Sequence, residues 1–152
     1  MNHQSAIRNQ KLKVLFLCVA NSCRSQMAEG LARHYLGEYL DAESAGTIAT
    51  FVHPNAIKVL AELGIDISKH RSKDVSEFYG QKFDLVVTVC DEGDERCPVW
   101  LGKGNKAHIP FYDPVKATGT EEEILQAFRN VRDDIRERLL SYLKENYLTH
   151  SS

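Results

Sequence analysis

The chain has 152 residues, 43% of them apolar and 26% charged, with a formal net charge of −2. That length and balance describe one globular domain large enough for a real core, and a monomer is the expectation. They exclude a strongly basic nucleic-acid or membrane-surface binder, and no apolar run approaches the ~18 residues a bilayer span requires.

Residues 1–12 are polar and lack the apolar centre of a signal peptide, so they read as a flexible tail ahead of a domain over residues 13–148 in a cytoplasmic protein. Val14 to Leu17 is wholly apolar, the pattern of a short strand covered on both faces. A tight loop runs from Cys18 to Arg24, and a helix is predicted from Ser25 to Leu36, stopped by Gly37. Tyr39 to Ala45 reads as a second strand, closed by Gly46 and Thr47. His53-Pro54 starts a helix in which Ile57, Leu60 and Ala61 recur at helical spacing through Leu63. A short extended piece over Ile65 to Ser68 and a short helix over Asp74 to Tyr79 follow.

Phe83 to Val89 is the strongest strand signal, β-branched and nearly all apolar, with Cys90 at its C-terminal end. Asp91 to Lys106 has no periodicity and reads as a mobile loop. Ala107 to Ile109 is a brief fourth strand, and Phe111-Tyr112-Asp113-Pro114 is a turn. Gly119 to Tyr147 is a long amphipathic helix whose face carries Ile124, Phe128, Val131, Ile135, Leu139, Tyr142 and Leu143.

Strands alternating with helices define an α/β fold: one domain in three layers, with a four-stranded parallel sheet flanked by helices. Ligands of such sheets bind beyond the C-terminal strand ends. That rule gathers Cys18, Cys90 and Asp113 on one rim.

The loop after the first strand carries the chemistry. Five residues separate Cys18 from Arg24, and the run ends at a helix N-terminus. Val19, Ala20, Asn21, Ser22, Cys23 and Arg24 can aim N–H groups at one centre, with the helix dipole adding positive charge. Arg24 supplies a planar fork matched to two oxygens of a tetrahedral oxyanion. The same field is expected to lower the Cys18 thiol, and Ser25 can donate to the thiolate. The result is a phosphate-binding loop with a nucleophile beneath it. Cys23 reads as a packed small residue, and His53, His70 and His108 as structural histidines.

Six residues separate Cys90 from Cys97. The spacing is not that of a zinc site, and no metal is expected. Disulfide exchange suits them better, because a thiolate must reach a sulfur and a second thiol must resolve the bond. Cys90 on the rim can attack Cys18, and Cys97 can attack Cys90.

Asn21-Ser-Cys-Arg-Ser-Gln-Met-Ala-Glu-Gly30 resembles the low-molecular-weight protein tyrosine phosphatase superfamily, and within it the arsenate reductase branch. The Cys90, Cys97, Pro98 segment is similar to the redox segment of thioredoxin-coupled arsenate reductases. The resemblance implies that Cys18 attacks arsenate, Cys90 attacks Cys18 and releases arsenite, and Cys97 takes over the disulfide for thioredoxin. It makes Arg24 the oxyanion ligand, Ser25 the thiolate partner and Asp113 the general acid, with phosphate or sulfate as substrate mimics. No prosthetic group is implied. Some members bind potassium, and Asn21, Glu29 and Ser44 match three of those ligands. Arg71 and Lys73 replace the remaining oxygen donors and argue against the ion. The rivals are a phosphotyrosine phosphatase using Cys18, Arg24 and Asp113 alone, a reductase drawing on glutaredoxin, glutathione or mycothiol, and a non-catalytic redox-responsive phosphate binder.

Overall fold

The computed structural model describes residues 11–91 and 94–148. The predicted tail lies outside them except for Lys11 and Leu12, and Leu12 already opens the first strand; Glu92 and Gly93 of the redox loop also lie outside them. Four strands, β1 (Leu12–Cys18), β2 (Leu40–Gly46), β3 (Leu85–Thr88) and β4 (Asn105–His108), form one parallel sheet in the order β2-β1-β3-β4. The helices are α1 (Arg24–Leu36), α2 (Pro54–Ala61) and α3 (Glu121–Leu143).

Alternation along β1 divides the core in two. Val14 and Phe16 face one side with Leu85 and Val87, under α1, α2 and α3. Leu15, Leu17 and Val86 face the other, covered by Val75 and Phe78 of a 3₁₀ turn and by Phe83 and Trp100. Trp100 is therefore a packing residue: its ring stands 5.8 Å from that of Phe83, and its N–H donates to the Lys103 carbonyl at 3.2 Å. Close helix packing on the first side requires Gly30, where a Cβ would lie 2.8 Å from both Ile67 Cγ2 and Leu60 Cδ2.

The ends of several elements differ from expectation. β3 spans four residues rather than seven, although the Asp84 and Val89 N–H groups still donate to Lys13 and Leu17 of β1. β4 begins at Asn105, inside the segment read as loop, because an exposed edge strand needs no apolar alternation. Ile65 and Ile67 are buried without a ladder partner, and Gly37 follows α1 in ordinary right-handed geometry, φ −62°. α3 starts at Glu121 because Thr120 and Glu123 form a capping box, each bonding the other's backbone N–H. Lys144–Leu148 continues it as a π-helical turn. Among the described residues no helix is long and apolar enough to cross a membrane.

Candidate active site

Cys18 is the last residue of β1, and Arg24 is the first of α1. The carbonyls of the intervening loop are tied to its surroundings. Val19 O accepts from Ile48 N and Thr47 Oγ1, both at 3.1 Å; Ala20 O accepts from Thr50 Oγ1 at 3.0 Å and Ser72 Oγ at 3.1 Å; Ser22 O accepts from His53 N at 3.0 Å. In a trans peptide the next N–H points opposite to the carbonyl. The N–H groups of Ala20, Asn21 and Cys23 are thereby turned away from those partners, which is compatible with an anion cradle.

Two backbone features make that curvature feasible. Asn21 takes φ +49°, a left-handed conformation that Asn tolerates better than most residues. Gly46 closes β2 beside the loop, where a Cβ would stand 2.5 Å from Val19 O and 2.8 Å from Asn21 N.

Buried side chains then lock the loop's polarity. Gln26 Nε2 donates to Asn21 Oδ1 and to the Arg71 carbonyl, both at 2.9 Å, so its Oε1 faces His70 Nδ1 at 3.1 Å. Asn21 Oδ1 also accepts from Lys73 N at 2.8 Å, which leaves Asn21 Nδ2 to donate to Ser25 Oγ at 2.8 Å. Ser25 is the acceptor in this bond, and a hydroxyl keeps one hydrogen with which it can donate to another partner. Gln26 and His70 are the members that the sequence reading missed or left as merely structural. Neither the Arg71 carbonyl nor the Gln26 orientation has a signal in residue spacing.

Beneath the loop, buried Glu29 accepts from Ser44 Oγ at 2.5 Å, meets Arg33 Nη2 at 3.0 Å and Lys73 Nζ at 3.3 Å, and lies 3.8 Å from His70. Arg71 turns outward and pairs with Glu77 at 2.6 Å.

Arg24 is buried, and its guanidinium meets three acceptors: the Phe111 carbonyl at 3.2 Å, Asp91 Oδ1 at 3.5 Å and Asp113 Oδ2 at 3.5 Å. Asp113 caps the turn Pro114–Lys116 by accepting from Val115 N at 3.1 Å, and Asp91 also pairs with Lys116 Nζ at 3.1 Å. Asp91 was not anticipated; it simply follows Cys90 in the chain. Burial reverses one expectation. Burial pushes the Cys18 thiol above its ordinary value; Arg24 and the Val19 N–H pull it down, while Asp113 and Asp91 raise it further. The net direction is upward, not downward, because burial of the thiol outweighs the guanidinium, with the two carboxylates adding to it. Cys23 is also buried, and its thiol is pushed up to about 12, which suits the packed residue expected. His53 accepts from Asn55 N at 3.1 Å as the cap of α2, the helix-start role expected of it.

Cys90 and Cys97 form a disulfide, with Cα atoms 5.8 Å apart, while Cys18 and Cys23 are free. The register of β1 against β3 pairs Leu17 with Thr88, so Cys90 lies one residue beyond the position level with Cys18. Cys90 is fully buried, whereas Cys97 is half-buried.

A free thiol and an arginine bracketing a carbonyl-out loop, beside a two-cysteine disulfide on the same sheet rim, define a thiol-based enzyme of oxyanion chemistry. The chain belongs to the low molecular weight phosphotyrosine protein phosphatase family, whose model matches residues 13–149. It is 46% identical over 134 residues to an arsenate reductase of Halalkalibacterium halodurans, covering 88% of this chain and 96% of that one. It resembles a solved arsenate reductase in its phosphate binding state, at 34% identity and TM-score 0.74 over 88% of this chain and 98% of that one. A thioredoxin-dependent arsenate reductase of Corynebacterium glutamicum is similar at 28% identity and TM-score 0.63, over 94% of this chain and 67% of that one.

Proposed function

We propose that the chain reduces arsenate to arsenite by a three-thiol relay regenerated by thioredoxin in the cytoplasm. The observation that carries this reading is the Cys90–Cys97 disulfide beside a free Cys18, the thiol pattern the relay would leave after one turnover.

The Cys18 thiolate attacks arsenic while the loop N–H groups and Arg24 hold the oxyanion. One As–O bond breaks, and Asp113 protonates the departing oxygen, which leaves as water. The Cys90 thiolate then attacks Cys18 Sγ. The S–As bond breaks with its electron pair kept by arsenic, giving arsenite and a Cys18–Cys90 disulfide. Cys97 attacks Cys90 Sγ, and Cys18 departs as a thiolate. Thioredoxin supplies two electrons by attacking the less buried sulfur, Cys97. Ser25, oriented by Asn21, would donate its free hydrogen to the Cys18 thiolate.

Cys90→Ser separates this reading from a plain phosphatase. The variant is expected to retain hydrolysis of an aryl phosphate, which uses Cys18, Arg24 and Asp113 alone, and to lose arsenite production. Arsenite release at the native rate would favour the phosphatase-type site with idle distal cysteines.

The same reading dispenses with potassium. Lys73 Nζ, 3.3 Å from Glu29, supplies the positive charge that carboxylate needs. Exchanging sodium for potassium at constant ionic strength is therefore expected to leave turnover and melting temperature unchanged, and a rise in either would restore the ion.

A further inference from the structure

The substrate arginine is already occupied by carboxylates in the disulfide form. Asp91 Oδ1 is 3.5 Å from Arg24 Nη1, and Asp113 Oδ2 is 3.5 Å from Arg24 Nη2. The two sides of the fork thus face carboxylate oxygens, as they would face two oxygens of a tetrahedral anion. The two acids have different reasons to be there. Asp113 belongs to the turn that continues into Lys116 and is held by its own capping bond to Val115. Asp91 is bonded directly to Cys90, and the Cys90–Cys97 bridge closes the short loop in which it sits. Lys116 Nζ holds its second oxygen at 3.1 Å, steadying the carboxylate against Arg24.

We propose that Asp91 competes with the oxyanion for Arg24 when the Cys90–Cys97 disulfide is closed, so that the oxidised chain does not take up new substrate before its reductant has opened the bridge. This rests on the oxyanion-binding reading of the loop given above. A multiply charged anion arriving at the closed form would meet two carboxylates and one guanidinium, and must displace Asp91 to reach the Nη1 side of the fork. Opening the disulfide frees Cys90 to turn toward Cys18, and Asp91, its neighbour in the chain, moves with it. The Asp91 carboxylate thereby couples the redox state of two thiols to affinity at a third. Such a device would keep an oxidised chain, which has no Cys90 thiolate to complete the reaction, from forming a dead-end adduct at Cys18.

The test is calorimetric titration of inorganic phosphate into the native chain and Asp91→Asn, each in the reduced and disulfide forms. The native disulfide form is expected to bind phosphate at least about tenfold more weakly than the reduced form, within the usual range of coupling between sites. In Asp91→Asn that ratio is expected to fall below about threefold, mainly through tighter binding by the disulfide form. Comparing ratios cancels the general gain in anion affinity from removing a negative charge, which acts in both forms. Equal affinity in the two native forms, or a ratio that Asp91→Asn leaves unchanged, overturns the proposal. No phosphate binding by the reduced native chain would instead overturn the oxyanion-site reading, and the inference with it.

Discussion

Arg24→Lys is expected to lower kcat/KM for arsenate by about 10²–10³-fold, the scale seen when a preorganised oxyanion donor is removed. Lysine keeps the positive charge, so the loss isolates the planar fork. In the native chain that fork reaches the Phe111 carbonyl as well as Asp91 and Asp113. It therefore holds the Asp113 turn and, in the proposed reaction, the anion as well. A lysine ammonium has three donors but radiates them from one point, without the planar fork that spans these acceptors. Steady-state kinetics with arsenate, together with inhibition by phosphate, checks this: kcat/KM and phosphate affinity should fall together. A loss smaller than about threefold would mean that the loop N–H groups bind the anion without help from the guanidinium.

Cys97→Ser is expected to produce one arsenite per chain and then stop. Cys18 and Cys90 can still complete the first two transfers, ending in a Cys18–Cys90 disulfide. Both of those cysteines are buried, Cys90 completely, so a protein reductant has no sulfur to attack. Steady turnover with thioredoxin should fall by at least about 10²-fold, since exchange depends on access to the attacked sulfur. Arsenite counted against protein in the absence of reductant gives the stoichiometry directly. Native turnover by this variant would show that the reductant reaches Cys18 or Cys90 without Cys97.

The parts of this site that were legible in the sequence were local in the chain. The apolar run Val14 to Leu17 and the Cys18-to-Arg24 loop announce a strand, a cradle and a helix start within a dozen residues, and β1, the loop and α1 follow that order. Cys90 at a strand end was legible because an apolar β-branched run leads into it. The long-range terms were not. Asp91 reaches Arg24 across 67 positions of chain, and nothing in its neighbours, Cys90 and Glu92, marks it as a partner of the guanidinium. The direction of the Cys18 shift failed for the same reason. The loop and Arg24 were legible, but the burial and the two carboxylates opposing them come from elements far apart in sequence. β4 was placed late because Asn105 and Lys106 are polar, and an exposed edge strand carries little alternation. Gln26 stands in the motif that carries the resemblance, but nothing in its spacing shows that its amide bonds Asn21 and a carbonyl some 45 residues away.

The central claim is that these thiols form one relay with a dithiol protein as donor. Its most direct test is arsenate-dependent NADPH oxidation by the native chain with thioredoxin and thioredoxin reductase. The relay predicts oxidation equal to the arsenate consumed, absent when thioredoxin is omitted. If neither thioredoxin nor glutathione with glutaredoxin supports arsenate-dependent oxidation, while aryl phosphate hydrolysis proceeds, the relay is contradicted and the chain is a phosphatase.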